Sequence, residues 1–209
     1  MYNLLLKELK LSIPKFFFIM PILTGALFLI PQWPYFLALM YFCFTTAPNI
    51  LSNYNSQNDY GFSIMMPVSK KEIVKSKIFT FIILELFHMV TGVFFASLNV
   101  LLYKENNFFM DLTPAFFGLA FIMYGLFNLI LFPLYFRTAY HFGLPVILAN
   151  IGALLFVSTV EIISFILKPA DHLSYIWQLV TLITGVLLYI GMNQITLHNS
   201  YRKFDKIDL

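Results

Sequence analysis

Six apolar stretches, separated by short polar connections, constrain this chain more than any other feature. They fall near Phe16–Ile30, Tyr35–Leu51, Ile78–Leu102, Pro114–Phe136, Leu144–Leu167 and Tyr175–Leu197. Crossing the hydrocarbon core of a bilayer takes about 20 apolar residues as a helix. Backbone polar groups find no water there, so a helix, which satisfies them internally, is the form such segments take. Most of the 209 residues belong to these stretches, which leaves no room for a separate soluble domain. The expectation is one transmembrane domain over residues 1–209: all-α, with six spans and both termini cytoplasmic. Composition agrees. Charged residues make up 11% of the chain and apolar residues 60%. A soluble protein with so few charges could not cover its surface, and a disordered chain is apolar-poor.

Orientation follows from lysine and arginine, which collect in cytoplasmic loops. One side carries Lys7, Lys10, Lys15, Lys70, Lys71, Lys75, Lys77, Arg137, Arg202, Lys203 and Lys206; the other carries only Lys104 and Lys168, with Glu105, Asp111 and Asp171. The first stretch does not read as a cleaved signal peptide, because it lacks a small-residue cleavage site and Pro31-Gln-Trp-Pro34 leads straight into the next span. The outer loops are too short to form a receptor or adhesion domain. Among the aromatic residues, Tyr35, Tyr103, Trp177 and Tyr201 fit a belt at the membrane–water interface.

Residues 1–13 read as an amphipathic helix. Tyr2, Leu5, Leu6, Leu9 and Ile13 fall on one stripe, and Asn3, Lys7 and Lys10 on another. Basic amphipathic helices of this kind lie along a membrane surface. A plain extension of the first span is the simpler alternative.

The connection between spans 2 and 3, residues 52–77, is the longest polar stretch. Asp59 is positioned to cap a short helix. Phe62, Met65 and Met66 then share its apolar side, and Pro67 ends it. Ser69-Lys-Lys-Glu72 has the form of a capping box, with Ser69 at the N-cap and Glu72 three residues on, opening a helix that runs into span 3. A short helix with large apolar side chains facing water needs a cover, either lipid headgroups or a groove on a partner.

The run Asp59-Tyr-Gly-Phe-Ser-Ile-Met-Met-Pro-Val-Ser-Lys-Lys-Glu-Ile-Val-Lys-Ser-Lys77 resembles the corresponding loop of ABC-2 type transporter permeases of the short six-span kind. Those proteins have an acidic residue, a short apolar stretch, Leu-Pro-Val-Ser and a basic residue, then Glu-Ile-Val; Met66 stands here where leucine is common. The resemblance implies that residues 59–66 are a coupling helix docking on a soluble ATPase subunit, with Asp59, Phe62, Met65, Met66 and Pro67 at the contact. It further implies two ATPase subunits, a second permease copy (identical or paired), and ATP and magnesium on the ATPase. Exporters of bacteriocins and phenol-soluble modulins belong to this group, so amphipathic peptides are the expected cargo.

No catalytic signature accompanies this pattern. The chain has no G-x-x-x-x-G-K-[ST] phosphate loop, no G-x-S-x-G and no H-E-x-x-H. Cys43 is the single cysteine, and His88, His141, His172 and His198 are too dispersed for one metal site. The basic residues follow membrane topology, which argues against nucleic acid and leaves membrane lipid as the expected surrounding partner.

Inside the spans, Glu85 and His88 are three residues apart and share a face of span 3. Intramembrane ionisable groups face the protein interior or a water-filled cavity. A pathway or gating pair and a structural hydrogen-bonding pair are both open on this pattern. Glu161, near the outer end of span 5, fits an exit gate or a carboxylate at headgroup level. In the family the outer end of this span is broken or re-entrant, which the resemblance transfers to Glu161–Leu167. Asn128 and Asn150 read as helix-joining amides, with Asn128 a further pathway candidate. Gly92-x-x-x-Ala96 and Ala149-x-x-x-Ala153 permit close helix contact, in the bundle or between copies. Two further functions are compatible with the residues: proton-coupled transport through Glu85 and Glu161, and a non-transporting immunity or sensor protein.

Overall fold

The computed structural model describes residues 2–65, 67–103, 109–138, 141–167 and 174–207. The described residues are helical or in turns, without a strand. In chain order the α-helices are α1 (Tyr2–Lys7), α2 (Met20–Ala26), α3 (Tyr35–Tyr41), α4 (Ala47–Ser56), α5 (Asp59–Met65), α6 (Lys70–Leu102), α7 (Pro114–Arg137), α8 (Gly143–Leu167) and α9 (Tyr175–Asp205).

Five helices are long and apolar enough to cross a membrane: Tyr35–Ser56, Lys70–Leu102, Pro114–Arg137, Gly143–Ile166 and Tyr175–Asp205. The first predicted span does not form one such helix. Its apolar part is the shorter Met20–Leu29, α2 with a 3₁₀ turn added at its end, and a separate 3₁₀ turn at Lys15–Phe18 precedes it. Prolines stand at the edges of this region. Pro14 precedes the 3₁₀ turn, and Pro21 sits in the first turn of α2, where its missing N–H costs little.

The helix Tyr35–Ser56 is α3 and α4 joined by a π-helical turn at Phe42–Thr46. Pro48 stands at the start of α4 and offers no N–H to the turn before it. A widened turn is a common way for a helix to absorb such a break.

Residues 2–12 are helical as expected, but of the expected stripe only Ile13 is buried. Leu4, Glu8 and Ser12, four residues apart, are buried, whereas Tyr2 and Leu11 are exposed and Leu5, Leu6 and Leu9 are half-buried. After α1 the chain widens into a π-helical turn, Glu8–Ser12, that packs against the start of α6. An acidic residue faces inward because a lysine waits there, a pairing that apolar periodicity cannot reveal.

The core lies between α7 and its neighbours. α7 is apolar all round and packs most extensively on α9, then on α8. Gly118 and Gly185 make that crossing possible. A Cβ on Gly118 would stand 2.5 Å from the Thr181 carbonyl oxygen, and one on Gly185 would stand 2.2 Å from the Gly118 oxygen. Small residues allow this approach, and close van der Waals contact then holds membrane helices together. The sequence reading missed this pair. The motifs it did single out act inside the chain: Gly92 faces Phe28 and Leu39, and Ala149 and Ala153 are fully buried on α8, which packs on α7.

At the end of the bundle away from α5, Asn99 on α6 donates to the Phe28 carbonyl at 2.7 Å and to the Tyr35 hydroxyl at 3.3 Å. These bonds fasten the turn that contains Gln32, whose φ of 57° is left-handed. Tyr35 is therefore buried and stacked on Phe28 rather than part of an interfacial belt. Tyr103 and Trp177 are exposed, as a belt requires. α8 runs unbroken through Leu167, so the re-entrant break expected at Glu161–Leu167 is absent. No residue in that stretch forces one: it contains neither proline nor glycine.

Candidate functional site: a coupling surface and an intramembrane polar cluster

Two constellations stand out. The first joins α1, α5 and the first turns of α6. Lys77 has no exposed surface. Its Nζ lies 2.5 Å from Asp59 Oδ2, 3.5 Å from Glu8 Oε1 and 3.4 Å from the centroid of the Tyr54 ring. Lys7 donates to Asp59 Oδ1 and lies 3.7 Å from Glu8 Oε1. Ser63, one turn along α5, donates to Asp59 at 3.4 Å. Two carboxylates thus meet two ammonium groups, so the cluster is close to neutral. Burial raises the Asp59 pKa, but the charges and hydrogen bonds of Lys77 and Lys7 more than reverse this, and its carboxyl titrates below the ordinary aspartate value.

This arrangement alters the role the sequence suggested for Asp59. Asp59 is the first residue of α5, not its cap; Asn58, in a left-handed conformation with φ 48°, accepts the first helical N–H from Phe62. Nor does Asp59 belong to an exposed contact face, being 4% exposed. It anchors the first turn of α5, and Phe62 and Met65 further along the helix are displayed. Phe62 is 55% exposed and Met65 87% exposed. Pro67 is exposed as well. Met66 lies outside the described residues. The Lys7 ammonium sits 5.1 Å from the Phe62 ring centroid and helps fix that ring. The capping box is formed as expected: the Glu72 N–H donates to Ser69 Oγ at 3.3 Å, and Ser69 N–H donates to Glu72 Oε2 at 3.4 Å.

The second constellation lies within the spans. Glu85 on α6 is 1% exposed. Its Oε2 accepts from the Tyr189 hydroxyl at 2.5 Å and from Asn128 Nδ2 at 3.1 Å. Asn128 also donates to Asn193 Oδ1 at 3.1 Å, and Asn193 donates to the Tyr189 carbonyl at 3.0 Å. One carboxyl, two amides and one phenol therefore tie α6, α7 and α9 together. Glu85 Oε1 and Asn128 Oδ1 have no partner among the described residues.

His88 shares the buried side of α6 but does not join this cluster. Its Nδ1 lies 2.9 Å from the Leu84 carbonyl and so carries the proton, and the ring meets Phe42 edge-on. Its Nε2 is then an acceptor without a partner among the described residues. Sequence spacing placed Glu85 and Asn128 correctly as intramembrane polar groups but missed Tyr189 and Asn193. Their signal was present: they are four residues apart and so share one face of α9.

Glu161 is half-buried and accepts the Met110 N–H at 3.1 Å, which ties α8 to the connection before α7. Asn150 Oδ1 finds no partner among the described residues. No group of three or more His, Cys, Asp or Glu residues among the described residues is arranged to hold a metal ion.

The fold and these clusters define a multi-pass membrane protein with a charge-anchored amphipathic helix at one end of its bundle. The comparison with known families sharpens this: the model of the ABC-2 family transporter protein matches residues 3–201, and the chain belongs to that family. Membership points to the membrane permease of an ABC transporter, and such permeases typically partner with an ABC ATPase. No curated protein and no solved structure matches the chain.

Proposed function

We propose that this chain is the permease subunit of an ATP-driven exporter in a bacterial plasma membrane. Two permease copies form the pathway, and two soluble ATPase subunits dock on the cytoplasmic side. In this reading Met20–Leu29, together with the residues around it, completes a sixth crossing, and both termini are cytoplasmic. ATP and magnesium bind on the ATPase.

The observation that carries the reading is α5. It displays Phe62 and Met65 on its surface while Asp59, in its first turn, is held by Lys7 and Lys77. A solvent-facing apolar pair on a rigidly anchored helix is what a docking contact requires: the anchors enter a groove, and their displacement is passed on without slack. Lys77 belongs to α6, so movement of α5 is delivered directly to a helix 33 residues long. Glu85 lies on the same helix, bonded to α7 and α9, and so receives any shift of α6 at its hydrogen bonds. Export also needs a cargo affinity that differs between the two states, not motion alone. The apolar, aromatic-rich spans favour amphipathic peptides over hydrophilic solutes.

Co-purification in mild detergent from the native host tests this reading. The wild type brings down an ATPase in near-equal amount, and Phe62→Asp/Met65→Asp loses it while keeping its melting temperature. Absence of an ATPase from the wild type in several detergents would sink the proposal and direct attention to proton coupling through Glu85.

A further inference from the structure

A second surface at the basic end of the bundle has no part in the coupling reading. The start of α6 has two sides. Lys77 faces Asp59 and Glu8, whereas Lys71 and Lys75, one turn apart, face the end of α9. There they line a pocket of about 470 Å³ together with His198 and Arg202 of α9, which are also one turn apart. No acidic residue lines it. Val74, Leu197 and Tyr201 also line it. Lys70 is not part of it, being turned toward the Asp205 and Ile207 carbonyls.

We propose that this pocket is a binding site for one anionic phospholipid, its phosphodiester held between Lys71 and Lys75 on α6 and Arg202 on α9. The arginine fork and the two ammonium groups match a phosphate carried at the edge of a membrane. The volume lies within the range of small-molecule pockets, roughly 300–1,000 Å³. A soluble anion gains nothing from Leu197 and the Tyr201 ring, which are partly exposed in the pocket; a lipid does, because its glycerol and first methylenes lie against them. The pocket bridges the helix that carries Lys77 and Glu85 and the helix that carries Tyr189 and Asn193. A bound lipid therefore clamps α6 to α9 at their basic ends. Basic pockets between membrane helices are a recurring form of headgroup recognition.

Native mass spectrometry of the full chain in detergent, titrated with phosphatidylglycerol or phosphatidylcholine, tests the proposal without any ATPase. It predicts one saturable phosphatidylglycerol per chain and no comparable phosphatidylcholine adduct. Each basic group near an anionic surface contributes about a fivefold factor in affinity, so Lys71→Gln/Arg202→Gln weakens binding roughly 25-fold. The control Lys10→Gln/Lys15→Gln removes the same charge from two exposed lysines of the N-terminal segment and leaves the adduct intact. Unchanged circular dichroism melting establishes that both variants are folded. Equal loss in both variants means diffuse attraction to basic residues and overturns the site. So does equal binding of the two lipids. Glycerol phosphate binding as tightly as the lipid marks a soluble-anion site and overturns the lipid assignment.

Discussion

The two polar clusters solve the same problem by opposite means. At the base of the bundle, Glu8 and Asp59 meet Lys7 and Lys77, and the cluster works by opposite charge. Within the spans, Glu85 meets only neutral donors, the Tyr189 hydroxyl and the Asn128 amide, and the cluster works by hydrogen-bond geometry. The difference bears on function. A charge-paired anchor resists separation and suits an element that, under the proposed coupling, moves as one piece with α6. A hydrogen-bonded junction can exchange partners at small cost, which suits helices that slide in the proposed transport cycle. Unpaired acceptor positions on Glu85 and Asn128 supply the alternatives such an exchange needs.

Isosteric neutralisation separates the two most sharply. Asp59→Asn keeps the shape but leaves Lys77 buried with Glu8 as its remaining carboxylate; breaking a buried pair in this way costs about 3–5 kcal/mol. A large fall in the detergent melting temperature is the expected result. The paired change Asp59→Leu/Lys77→Met, which removes charge from both sides, recovers much of it. The next largest effect is Glu85→Ala, which strands the Tyr189 hydroxyl and the Asn128 amide; each stranded group costs about 1–3 kcal/mol. Glu85→Gln retains an acceptor for both and lowers stability by less than about 1.5 kcal/mol, the worth of one ordinary hydrogen bond. If Asp59→Asn were as mild as Glu85→Gln, the distinction between the clusters would collapse.

The same contrast appears on acidification. The Asp59 pKa is depressed in the folded protein, so its stabilisation is complete above the ordinary aspartate value of 3.8 and is lost as pH falls through the lower folded value. Melting of the wild type should therefore decline steeply in that acidic window, and Asp59→Asn should flatten the decline. The smallest effect belongs to Ser69→Ala, outside both clusters. It removes one half of the capping box and costs about 1 kcal/mol by the same melting measurement.

Much of this was legible in the sequence because it rests on local rules. Apolar run length gave the five long helices, and Ser69-x-x-Glu72 gave the start of α6. Phe62 and Met65 were legible as an exposed apolar pair because Pro67 and the capping box bound a helix too short to bury them. What was not legible depends on partners distant in sequence. Glu8 reads as a surface residue until Lys77, in another helix, is set beside it. Asp59 reads as a cap for the same reason. The Gly118–Gly185 crossing and the Tyr189–Asn193 face require knowing that α7 lies on α9. The first predicted span forms only the shorter helix Met20–Leu29 because hydropathy registers apolar content, whereas helix continuity across Pro14 to Pro34 depends on backbone geometry.

The central claim, that α5 is the surface through which a soluble ATPase drives α6, is tested most directly by contact in native membranes. A photo-reactive side chain placed at Met65, and in a separate variant at the exposed Leu11 of the N-terminal segment, reports what each touches. The account predicts a covalent adduct from position 65 with a soluble protein bearing a G-x-x-x-x-G-K-[ST] loop, and lipid adducts alone from position 11. Lipid adducts alone from both positions would contradict it, leaving α5 as a membrane-surface helix with no part in coupling.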